Sequence, residues 1–162
     1  MKKKQIIFAI ILYFLIISSA DEDIKQIISR MDGTDKCGQM TQVTVDVVQN
    51  DNFLLIQDPR NITRLKSAII DYKIGSIQNT PYTTAQKGEI WQKIIKSIHD
   101  ETLNTNLKIP LLYGIDSIHG ANYIQEAILF PQPLNQAATF NTELVESIGE
   151  IVAKETRAFE IP

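Results

Sequence analysis

Cysteine is almost absent. Cys37 is the only one, and Gly38-Gln39 follows it rather than a second thiol. That excludes an intramolecular disulfide, a redox pair and a zinc knuckle, and leaves Cys37 to be read as a small buried hydrophobe. Positive charge is also sparse. Beyond Lys2-Lys3-Lys4 there is no basic block, and the net charge is −3 with a pI near 5.4. No nucleic-acid partner is expected from such a balance. No cluster with metal-ligand spacing is visible, and no internal repeat or low-complexity linker. What remains is ordinary globular composition, 44% hydrophobic and 22% charged over 162 residues, which suggests one domain.

The apolar run Ile6 to Ile17 is shorter than the roughly 20 residues of a spanning helix. With the lysines before it and Ser18-Ser19-Ala20 after it, it has the pattern of a signal peptide, residues 1–20, cut before Asp21. An uncleaved anchor is the alternative. Cleavage would remove three lysines, leave a more acidic chain and end any stable membrane association. The expected destination is extracellular or a lysosome-like compartment. Asn61-Ile62-Thr63 is an N-glycosylation acceptor that fits export.

Ile24, Ile27, Ile28 and Met31 fall on one helix face, so a helix is expected over 21–31. Asp32-Gly33 breaks it, and a short helical piece runs from Thr34 to Gln39. Val43, Val45 and Val47 alternate with polar residues, which predicts a strand over 42–48. Asp58-Pro59 should start a helix to Tyr72 that buries Ile62, Leu65, Ile69 and Tyr72. Lys73 to Ile77 reads as a short strand whose Gly75 marks a close backbone approach. Thr83-x-x-Gln86 resembles a capping box before a helix with the stripe Ile90, Trp91, Ile94, Ile95 and Ile98. Trp91 is read as core rather than as a ligand platform, and His99 as solvated. Pro131 and Pro133 exclude a helix there. Asn141 or Thr142 caps a last helix with the stripe Leu144, Ile148, Ile151 and Val152. Strands alternating with helices argue for an α/β fold with a largely parallel sheet.

The most informative stretch is Ile109 to Tyr123. The run Leu111 to Ile115 reads as a strand buried on both faces, and it stops at Asp116, His119, Gly120 and Asn122. Residues just past the carboxyl end of such a strand line the functional face of an α/β protein. Asp116 at that point is either a ligand for something polar or a helix N-cap.

Several stretches together resemble glycoside hydrolase family 3. They are Cys37-Gly-Gln-Met-Thr-Gln42, Ile74-Gly-Ser-Ile77, Gly114-x-Asp116-x-x-His119-Gly120 with its flanks, Phe130-Pro131, Ala137 to Leu144 and Ile148 to Ala158. The resemblance covers Ile24 to Pro162, and Asp116-Ser-Ile-His-Gly120 is similar to the secreted β-glucosidase branch. It lacks the Asp-Gln-Glu-Gly-Gly type of motif of the family's N-acetylglucosaminidases. The resemblance implies a TIM-like (β/α)8 barrel and a retaining, two-carboxylate hydrolysis of terminal β-D-glucosyl residues from glucans or oligosaccharides, without cofactor or metal. It implies that the nucleophile, the acid/base and a sugar-holding Lys-His pair lie further along than Pro162. No catalytic residue is therefore assigned here, and Asp46, Asp71, Glu126 and Glu160 are not taken as substitutes.

The resemblance also implies that Asp116 hydrogen-bonds sugar hydroxyls in the first subsite. His119 either touches substrate or, by preference, pins the loop; Asn122 and Tyr123 shape the pocket mouth or are solvated. A closed barrel takes roughly 250 residues, so 21–162 is expected to be its N-terminal half, an incomplete barrel. The alternatives are a complete small sheet of flavodoxin size, a non-catalytic remnant, and a carbohydrate-binding α/β module.

Overall fold

The computed structural model describes residues 23–51 and 60–161. The leader and the helix start expected at Asp58-Pro59 lie outside the described residues. The chain divides at Lys36–Cys37 into two units. In the first, residues 23–30 are helical. Helix α1, Gly33–Gln39, then opens on a reciprocal cap: Asp35 N donates to Asp32 Oδ1 at 2.7 Å, and Asp32 N to Asp35 Oδ2 at 2.9 Å. Asp32-Gly33 thus starts a helix as well as ending one. Cys37 is exposed, against the expectation of a buried thiol.

The second unit is built on a parallel sheet. Strands β1 (Gln42–Thr44), β2 (Ser76–Gln78) and β3 (Leu112–Gly114) lie in the order β1-β2-β3. Val43 pairs with Ile77, and Ile77 with Tyr113. Helix α2, Ile62–Lys66, lies between the first two strands in sequence, and α3, Gly88–Thr102, between the second and third. Sequence order and sheet order coincide, so among the described residues no strand doubles back as one does at the switch point of a flavodoxin-like sheet.

The strands are shorter than the valine alternation suggests. After Thr44 the chain turns into a 3₁₀ segment, Val45–Val47, which buries Val45 and Val48 and leaves Val47 exposed. The apolar spacing of three between Val45 and Val48 suits that turn. Asn61 caps α2; its Oδ1 accepts from Arg64 N at 3.1 Å. The helix then widens into a π turn, Ser67–Asp71, closed by Tyr72 N donating to Ser67 O. The extra residue per turn shifts the helical phase. Leu65, Ala68 and Ile69 are buried, while Tyr72, expected inside, is 71% exposed and Ile62 is exposed too.

Gly75 does mark a close crossing. A Cβ there would overlap the Gln39 carbonyl, and one on Gly38 would overlap the Lys73 carbonyl. The two glycines let the end of α1 rest on the run-in to β2.

Helix α3 carries the core. Trp91 is fully buried beside Ile94 and Ile98, and its ring meets Tyr113 edge-on at 5.7 Å. No Thr83–Gln86 box caps it. Gly88 N instead donates to Glu126 Oε2 at 2.9 Å, and Gly88 leaves room for the Phe159 ring. Pro133, expected to forbid a helix, starts one: α4, Pro133–Ala137, where a proline at the first position loses no intrahelical bond. Helix α5, Thr142–Ala158, is capped by Asn141, whose Oδ1 accepts from Leu144 N at 3.0 Å. Ile148, Ile151 and Val152 are only half-buried and Leu144 is exposed.

The sheet has two unlike faces. Ile77 and Tyr113 point into the helical core, whereas Leu112 is 68% exposed and Gly114 is also exposed. The strand expected to be buried on both faces is covered on one. Beyond it Leu129, Leu134 and Phe140 are exposed, Phe140 at 96%. Among the described residues β3 has a partner strand on one edge only. An open edge with bare apolar side chains promotes association. The isolated 162-residue polypeptide is therefore expected to run as oligomer or aggregate on size-exclusion chromatography at micromolar concentration. A sharp monomer peak that unfolds cooperatively in urea would contradict this.

Candidate functional site

The end of β3 is fixed before the loop begins. Asn79 N donates to Gly114 O at 3.0 Å, and the Tyr113 hydroxyl donates to Asn79 O at 2.7 Å. Together they tie the C-terminal ends of β2 and β3. Burial pushes the Tyr113 phenol well above its ordinary range, and the Asp46 charge adds to the shift.

Asp116 follows two residues later. It is exposed, and no helix starts there, so the N-cap alternative does not apply. Its carboxylate has no hydrogen-bond or ion-pair partner among the described residues. Its backbone, by contrast, is held. With the Asn122 amide turned so that its nitrogen faces acceptors, Nδ2 donates to the Gly120 carbonyl at 2.9 Å and to the Asp116 carbonyl at 3.1 Å.

His119 Nδ1 lies 2.9 Å from the Phe130 carbonyl, while Phe130 N donates back to His119 O at 2.7 Å. A carbonyl only accepts, so Nδ1 carries the hydrogen and, in the neutral ring, Nε2 is left as an acceptor. Gly120 is buried with φ +126, and a Cβ there would overlap the Ile128 carbonyl. Only glycine takes that conformation without strain.

The far side of the loop is tied to the helices. The Tyr123 carbonyl accepts from Gln86 N at 3.0 Å and from Trp91 Nε1 at 2.8 Å. Ile128 N donates to both carboxylate oxygens of Glu155, each at 3.2 Å. Sequence patterns did not single out the structural work of Glu126 and Glu155. For Glu126 the one hint was the apolar run that follows it, Ala127 to Phe130, since a carboxylate in such surroundings needs donors.

The loop thus places one unengaged carboxylate, Asp116, past the end of β3. Glu126 and Glu155 are committed to backbone donors. Asp46 and Asp71 accept from neighbouring side chains, Gln49 and Ser67. Among the described residues no group of three or more His, Cys, Asp or Glu is placed to hold a metal ion. Asn61 lies at the start of α2.

The sequence profile of the glycosyl hydrolase family 3 N-terminal domain matches residues 34–162. The chain belongs to glycosyl hydrolase family 3. Among its curated relatives, a lysosomal beta glucosidase of Dictyostelium discoideum is 36% identical over 90% of this chain and 18% of its own length. A periplasmic beta-glucosidase of Salmonella typhimurium is 26% identical over 83% of this chain and 14% of its own. A beta-xylosidase/alpha-L-arabinofuranosidase of Medicago sativa subsp. varia is 28% identical over 67% and 13%. The chain therefore spans less than a fifth of the length of these family 3 relatives.

Two outcomes test the geometry. Gly120→Ala should strain the loop by about 1–3 kcal/mol, the usual cost of a forced positive φ. The check is faster chymotryptic cleavage after Tyr123 than in the parent chain. For Tyr113 the sign is that of a raised phenol. Its stabilisation is whole below the unfolded tyrosine value of about 10 and is lost as pH rises toward the higher folded value. Absorbance titration of the folded chain should show a tyrosine that resists ionisation, and Tyr113→Phe should remove it.

Proposed function

We propose that this chain supplies the opening strands of the barrel domain of a β-glucosidase-type glycoside hydrolase, and that Asp116 grips the terminal glucosyl residue. The observation that carries the reading is Asp116 itself, an exposed carboxylate without a partner among the described residues, on a loop whose backbone is fixed on both sides. Family membership and the beta-glucosidase names of two relatives support the substrate class.

The sheet fits the start of a barrel. Parallel sheets are stable with both faces covered. Here the helices cover one face, and β1, β2 and β3 follow one another in order, as in a barrel with a single outer ring of helices. The face bearing Leu112 and Gly114 would then turn toward the barrel interior.

An ionised carboxylate offers about four lone-pair sites and can accept from two adjacent hydroxyls of a sugar. Such charge-assisted bonds are about twice as strong as neutral ones, and they discriminate against a sugar that lacks the hydroxyl. They could also hold the ring toward its distorted transition-state shape. The reaction itself needs a nucleophile and an acid/base about 5–5.5 Å apart for retention. On this reading both lie beyond Pro162, as the resemblance implies, so Asp116 binds and orients while those carboxylates do the bond-breaking. The lysosomal and periplasmic names of the relatives support a compartmentalised or exported protein, which fits the leader-like residues 1–20.

The test is a chimera. Residues 34–162 replace their counterpart in the Dictyostelium relative, and hydrolysis of an aryl β-glucoside is followed. A hydrogen bond to a charged group is worth about 1.5–3 kcal/mol, so Asp116→Ala should lower kcat/KM by about 10- to 150-fold. The 162-residue polypeptide alone should release no nitrophenol. An Asp116→Ala chimera as active as its parent would remove the assignment.

A further inference from the structure

We propose that Asn61 carries an N-linked glycan when this chain passes through a secretory compartment. The proposal rests on the export reading above and not on Asp116. Asn61-Ile62-Thr63 supplies the acceptor amide and the hydroxyl two residues on that the transfer requires.

The structure adds a reason why a glycan there is compatible with the fold. Asn61 caps α2 through Oδ1, which accepts from Arg64 N. The atom that would bear the sugar is the other one, Nδ2, and it has no partner among the described residues. Cap and glycan therefore use different atoms of one side chain. Asn61 is half-buried, while Ile62 is 43% exposed and Thr63 is exposed as well, so the turn that follows it is open to a bulky substituent.

Arg60, next in the chain, donates to the Lys93 carbonyl and to Ser97 Oγ on α3. Asn61 N itself donates to the Val48 carbonyl at 2.9 Å, so the acceptor sits beside the segment that follows β1 and, through Arg60, against α3.

The donor class is a lipid-diphosphate-linked oligosaccharide. The bond from Asn61 Nδ2 to the sugar C1 forms as the C1–O bond to the diphosphate breaks. Nδ2 gives up one proton and the lipid diphosphate leaves with the electron pair. No oxidant or reductant is involved.

The experiment expresses the full chain, with its own leader, in a eukaryotic secretory host. Asparagine-linked glycans are removed enzymatically in heavy-oxygen water, and the peptide bearing position 61 is read by mass spectrometry. The expected result is labelled Asp at position 61, together with a mobility shift that the enzyme abolishes. Thr63→Ala and Asn61→Asp should each abolish that shift. Asn61→Asp keeps the capping oxygen, so its product separates loss of the glycan from loss of the cap. Two results would overturn the proposal. An exported, leader-free chain with unmodified Asn61 would overturn it alone. A chain retained with Met1 and the leader intact would overturn it together with the export reading.

Discussion

The fully buried indole of Trp91 joins the parts of this structure that matter. Its ring packs edge-on against Tyr113 in β3, and its Nε1 donates to the Tyr123 carbonyl in the loop that follows the strand. One side chain on α3 therefore sets the height of the strand and anchors the far side of the loop. A buried aromatic removes on the order of 150–250 Å² from water, worth several kcal/mol. Its N–H would be costly to leave unpaired. Packing and polar satisfaction act at the same point. That makes the loop an extension of the core rather than a loose connection.

From this anchor the loop is held residue by residue. His119 and Phe130 exchange two bonds, Gly120 turns where a side chain would collide with Ile128, and Asn122 bridges the carbonyls of Gly120 and Asp116. The carboxylates nearby that could compete for a polar ligand are engaged with the backbone. Asp116 has its main chain fixed and its side chain unengaged. In the proposed role, a backbone held this way would lower the ordering cost of binding a hydroxyl. Among the described residues β3 has a partner strand on one edge only, and the face around Leu112 is uncovered.

Much of this was legible in the residues, and the failures have physical causes. The stripe of α3 and the Asn141 cap follow from periodicity and capping chemistry, both local. Gly75 was readable because only a close approach explains a glycine there. The strand expected over 42–48 failed because Val45 and Val48 are spaced for a 3₁₀ turn as well as for an alternating strand. Tyr72 was misplaced because a π turn changes helical phase without any signature in composition. Pro133 was read as a breaker, though at a first helical position it is an initiator. Leu112 was expected inside because an apolar run does not say whether both faces have neighbours. Asp116 could be located but not chosen between cap and ligand by pattern alone. The absence of a following helix decides against the cap, and the ties at His119 and Asn122 are long-range facts no short window contains.

The central claim is that a carboxylate fixed past the end of β3 holds the glucosyl ring. The most direct measurement is a crystal structure of a family 3 β-glucosidase carrying residues 34–162 of this chain, soaked with a glucose-like inhibitor. The account predicts both Asp116 oxygens within hydrogen-bond distance of adjacent ring hydroxyls, with the His119–Phe130 clasp unchanged. Asp116 turned to solvent while the sugar is bound through other residues would contradict it.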